Sequence, residues 1–149
     1  MTFSEDFAKN QGRPIVFGGR TLEPMLRRTV APETRVRVVW RSAAEVPVQG
    51  IRMKLQGGSL ILGDTELKDV VLWRDTAPDE SVFVCRSKRA TELRIWNCWR
   101  DERGVTQAWI GNAGMRTTEF AAGIIAVECN SRPEITFRDL VFDLYLEQP

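Results

Sequence analysis

From residue 35 onward, apolar and polar side chains alternate with a period of two, and turn residues recur about every ten positions. Such a chain offers one face of each extended segment to a core and the other to water, so its architecture is all-β. Arg35–Arg41 places Val36, Val38 and Trp40 on one face, and Ile51–Gln56 turns Arg52 and Lys54 outward. Gly57-Gly58 opens a short strand at Leu60–Leu62, and Gly63-Asp64-Thr65 turns the chain toward a run ending in Val70–Trp73. Further strands are predicted at residues 81–86, 91–100, 105–112, 123–130 and 134–147. About nine strands in one 149-residue domain suit a two-layer antiparallel β-sandwich of jelly-roll type. In the last strand the apolar parity slips between Phe137 and Leu140, which predicts a β-bulge near Arg138-Asp139.

Two short helices are predicted before the main strands. Thr2 and Glu5 have capping-box spacing, with Phe3 and Phe7 four residues apart on one side. Thr21 is placed to cap a second helix over Leu22–Arg28, with Glu23 near its positive end, Arg27 and Arg28 near its negative end, and Pro24 in the first turn.

Composition removes several chemistries. Histidine is absent, which excludes Ser-His-Asp and Cys-His catalysis and histidine metal sites. Cys85, Cys98 and Cys129 form no Cys-x-x-Cys pair, so no metal is expected, and Cys85 and Cys129 sit in apolar runs as small core residues. No phosphate-cradling, dinucleotide-binding or calcium-loop motif occurs, so no cofactor is expected. The 21 basic and 20 acidic residues give no global attraction to nucleic acid or anionic lipid, and no apolar run spans a membrane. The first residues lack the basic start and apolar stretch of a secretory signal, so a cytoplasmic location is expected.

The most informative stretch is Leu93–Asn112, which reads as two strands around Asp101-Glu102-Arg103-Gly104. Asp first and Gly fourth predict a type I turn followed by a left-handed glycine. In that register Trp99 lies opposite Gln107 and Asn97 opposite Trp109, so two indoles and two carboxamides share an inner face. Buried amides need partners, and a cleft whose ligand supplies hydroxyls, between flat aromatic walls, is one way to provide them. Asn97, Trp99, Gln107 and Trp109 are therefore candidate ligand-binding residues. Burying one Trp is worth about 4 to 6 kcal/mol, so most of the five must be core, and Trp40 and Trp73 are assigned there. Trp96 instead falls on the outer face between Arg94 and Arg100, a trio suited to anchoring a protein partner.

The reading that follows is a non-catalytic binding module for a small polar ligand such as a carbohydrate. A second expectation is an interaction protein, such as a homodimer, formed through the last strand or the Arg94, Trp96, Arg100 face. A third is a carboxylate-dependent hydrolase, for which the chain offers few suitably spaced acid pairs and no catalytic residue to name.

Overall fold

The computed structural model describes residues 1–149. In chain order it contains α1 (Phe3–Lys9), β1 (Ile15–Phe17), β2 (Arg20–Leu22), β3 (Leu26–Val30), β4 (Arg35–Ala43), β5 (Val48–Leu55), β6 (Ser59–Leu62) and β7 (Thr65–Leu67). There follow β8 (Asp69–Trp73), β9 (Glu80–Arg86), β10 (Thr91–Arg100), β11 (Thr106–Gln107), β12 (Gly114–Ala121), β13 (Ile124–Asn130) and β14 (Leu140–Glu147). One sheet runs β12-β13-β14-β4-β9-β6-β7; the other runs β11-β10-β5-β8, with β3 also paired to β10. All of these ladders are antiparallel, and the two sheets face each other as a sandwich. No helix is long and apolar enough to cross a membrane.

Alternation fills the space between the layers. Val36, Val38 and Trp40 from β4 meet Ile51, Met53 and Leu55 from β5, with Phe83, Leu93, Ile95, Phe142 and Leu144 among the other buried members. Removing each such side chain from water contributes about 1.5 to 3 kcal/mol. A second, smaller core joins Phe3, Phe7, Leu22 and Phe137, with Ile15 packed against it. This core docks α1 on the sandwich: Thr2 Oγ1 accepts the Glu5 N–H at 3.3 Å, the expected cap, while Phe3 and Phe7 turn inward together.

The predicted helix over Leu22–Arg28 is overturned. Residues 26–30 are a strand on β10, with Leu26 opposite Ile95 and Val30 opposite Thr91. Leu22, Leu26 and Val30 recur every four residues, a spacing that fits a helical face and also one face of a strand. Ladder pairing with β10 decides between them. Trp73 also leaves its predicted place. Its neighbours Val70 and Leu72 pack against the core, while Trp73 lies on the outer face, across the ladder from Gly50. A Cβ on Gly50 would stand 2.6 Å from the Trp73 ring, so only glycine allows the indole to rest there.

Residues 134–139 do not extend the last strand. Asn130 Oδ1 accepts the N–H groups of Thr136 (2.9 Å) and Phe137 (3.1 Å), and Phe137 takes φ +55°. These side-chain bonds compete with ladder pairing and bend the segment. The irregularity in the β14–β4 ladder falls between Val141 and Phe142 rather than at Arg138-Asp139. The edge strand β12 and the strands β1 and β2 were not expected from periodicity.

Candidate ligand-binding groove

The β10–β11 turn folds as its four residues dictate. Gly104 takes φ +79°, its N–H donates to the Asp101 carbonyl at 2.9 Å, and the Asp101 N–H donates to the Val105 carbonyl at 2.9 Å. The Asp101 carboxylate accepts Gln107 Nε2 at 3.0 Å and the N–H groups of Arg103 and Val105 at 2.9 Å each. These bonds, that from Gln107 foremost, hold its carboxyl below the ordinary carboxylate range. Trp99 lies opposite Gln107, in the expected register.

Beyond Gln107 the expectation fails. β11 ends there, and Trp109 turns out of the ladder with φ +59°, so it never comes opposite Asn97. Asn97 pairs instead with Ile51 of β5 and donates Nδ2 to the Asn130 carbonyl at 3.0 Å inside the sandwich. Trp99 is buried and Gln107 is committed to Asp101. Trp109 lies with Trp96, rings stacked at 4.9 Å, on the outer face. The four residues expected to line one inner recess are thus divided between the core, the turn and the opposite side of the sheet. The excursion has a physical cause: the stacked indoles and a bond from Trp109 Nε1 to the Pro24 carbonyl (2.9 Å) replace the ladder bonds that residues 108–112 would have made.

The trio on the outer face is also engaged. Arg94 Nε donates to Glu92 at 2.6 Å; Arg100 donates to both Asp75 oxygens and lies 4.7 Å above the Trp73 ring. Trp96, expected to be open to a partner, is instead buried at 8% exposure, packed with the main core and covered by Trp109; Arg52, not Arg94 or Arg100, is the cation over its ring, at 5.8 Å.

Moving Trp109 outward creates a hollow. Trp109 remains 45% exposed and, with Ser4, Phe7, Ala8, Pro24 and Met25, lines a cavity of about 270 Å³ between α1 and the sandwich. Ser4 N–H donates to the Gly111 carbonyl at 2.9 Å and Phe3 N–H to Asn112 Oδ1 at 3.1 Å, which fixes α1 against the turn carrying Trp109. A second hollow of about 430 Å³ shares Gly12, Pro24, Met25 and Arg27 with the first and adds Gln11, Arg13 and Glu23. The two adjoin at these shared residues in a groove beside α1, with Trp109 in the first, Arg13 and Glu23 in the second and Arg27 bordering both, on the scale of small-molecule sites.

Glu23 is the unusual member. Its backbone pairs with Met115, its side chain is 18% exposed, and Arg28 stands 4.0 Å from Oε1. Oε2 is closed off from solvent and has no hydrogen-bond partner. Burial pushes the Glu23 carboxyl above its ordinary value, against a lowering influence of Arg28. The three thiols are held protonated: burial lifts that of Cys85 to about 11, that of Cys98 to about 12, and that of Cys129 well above its ordinary value.

No protein-family model matches the chain, and neither the curated proteins nor the solved structures contain a significant match. The fold and groove define an all-β sandwich with a surface hollow beside its N-terminal helix. Glu23, Arg13 and Arg27 were not singled out as site residues from the sequence. One signal was present for Glu23: a residue before proline is pushed toward extended backbone, so Glu23-Pro24 argued for a bridge and an outward-bending chain rather than a helical first turn.

Proposed function

We propose that this chain binds, without transforming, a small polar ligand such as a carbohydrate in the groove beside α1. One observation carries the reading: a half-exposed indole, backed by a second indole, forms with Arg27 the wall of a hollow that adjoins a second one bearing Glu23 and Arg13. A flat apolar wall beside planar hydrogen-bonding groups suits a ring with one apolar face and hydroxyls at its edge. Glu23 is the one carboxylate lining the two hollows. Hydrolysis by paired carboxylates requires a second at about 5 to 9.5 Å, so binding is favoured over hydrolysis.

The test is glycan-array screening followed by calorimetric titration of wild type and Trp109→Ala, with far-UV dichroism to verify the fold. The expected result is glycan binding by wild type, at least tenfold weakened in Trp109→Ala and largely kept in Trp109→Phe. No binding by folded wild type, or equal binding by Trp109→Ala, overturns the reading.

A further inference from the structure

Charge around the groove narrows the ligand class, resting on the binding role proposed above. Arg13 and Arg27 line it against the single carboxylate of Glu23, and Arg28 stands beside Glu23, so positive charge is in surplus. The three guanidiniums are not equally free. Arg27 reaches Glu92 at 3.7 Å and Arg28 reaches Glu23 at 4.0 Å. Arg13 has no carboxylate partner; its one side-chain bond runs from NH2 to the neutral Gln11 Oε1 at 2.6 Å. A guanidinium carries five donors in a fork that matches a carboxylate, so Arg13 keeps most of its capacity for an anion.

Glu23 lines the same hollow as Arg13. Its Oε2 is closed off from solvent, so the carboxylate can meet a ligand only through Oε1, which has Arg28 4.0 Å away and no hydrogen-bond donor. A hydroxyl supplies that donor without adding positive charge beside three arginines, whereas an ammonium would add it. We infer that the groove selects acidic sugars of the uronic-acid class over neutral and amino sugars, with Arg13 taking the ligand carboxylate and Glu23 a ring hydroxyl. Arg13 sets the preference for an acidic ligand, while Glu23 and Trp109 supply affinity common to all sugars.

The experiment titrates matched-length uronic, neutral and amino oligosaccharides into the full chain at low and high ionic strength, for wild type, Arg13→Ala, Arg13→Lys and Glu23→Gln. Wild type is expected to bind the uronic series at least tenfold more tightly than the neutral one, with the preference shrinking as salt rises. Arg13→Ala should erase the preference and leave neutral binding unchanged; Arg13→Lys should keep part of it, because a point charge replaces the fork. Glu23→Gln should weaken all three series about fivefold, as an ionised acceptor becomes a neutral one. Equal wild-type affinity for uronic and neutral sugars, tightest binding of the amino series, or a preference that survives Arg13→Ala overturns the inference while leaving sugar binding intact. Binding of no series, or binding indifferent to Trp109→Ala, overturns the binding role itself.

Discussion

Asp139 and Glu23 are both largely withdrawn from water, and they are treated in opposite ways. Asp139 is fully buried and completely partnered: one oxygen accepts the N–H groups of Ser131 (2.8 Å) and Arg132 (3.0 Å), with the Ser131 hydroxyl at 3.4 Å, and the other accepts Arg132 Nε at 2.7 Å. The single proton of the Ser131 hydroxyl has its shorter contact with Gln49 Oε1, at 3.0 Å, which ties this corner to the facing sheet. Glu23 has a cation 4.0 Å away and one oxygen with no donor at all. Buried polar groups with every partner present act as structure, because their desolvation is offset inside the protein. One left without a donor lowers stability, because its desolvation is not offset.

The largest effect should come from breaking the complete member. Asp139→Ala would strand two backbone N–H groups and Arg132, and should cost about 3 kcal/mol in urea unfolding. A loss under about 1 kcal/mol would show that the corner is hydrated or relaxes easily.

Neutralising the incomplete member should act in the other direction. Because burial raises the folded-state pKa of Glu23, the folded chain holds that proton more tightly than the unfolded one. Its unfavourable contribution is absent below the unfolded value of about 4.5 and grows as pH rises through the folded value. Glu23→Gln should therefore raise stability by about 1 kcal/mol at neutral pH, with the gain disappearing toward pH 4. Thermal melts of both proteins across that range check it, and a pH-independent difference would contradict the burial argument.

The smallest effect sharpens the contrast, since Asp69 is well partnered but exposed. Arg52 bonds both of its oxygens and holds its carboxyl below the usual value of 3.8, so the stabilisation is present above that value and lost as pH falls through the lower, folded one. Asp69→Asn should cost only about 0.2 to 1 kcal/mol and less in high salt. A cost matching that of Asp139→Ala would mean that partner number, rather than burial, governs these carboxylates.

Much of the fold was legible where the deciding interactions are local. The α1 cap needs only Thr2 and Glu5, and the Asp101–Gly104 turn needs only an Asx acceptor and a residue tolerant of positive φ. The strands β4, β9 and β13 carry their alternation within themselves, whereas β10 is buried on both faces from Ile95 to Trp99. The site was much less legible. Asn97 and Trp99 face inward as their alternation requires, but the position of Trp109 depends on Pro24 and Trp96, one of them 85 residues away along the chain. Glu23 reads from sequence as a charge at a helix end, and only its bridge to Met115 makes it a wall of the groove.

What the sequence determined by itself was the class of the molecule: period-two alternation commits the chain to two-faced strands, and the absence of histidine closes off whole chemistries. Tertiary structure decided which face a borderline segment shows and where the hollow lies. Residues 26–30 became a strand because β10 offered ladder partners, and residues 108–112 gave up their ladder because an indole found a better surface on the other side. Backbone sterics and turn chemistry act over a few residues and are written locally, whereas edge pairing and aromatic stacking compare the energies of distant surfaces that exist only once the sheet has formed.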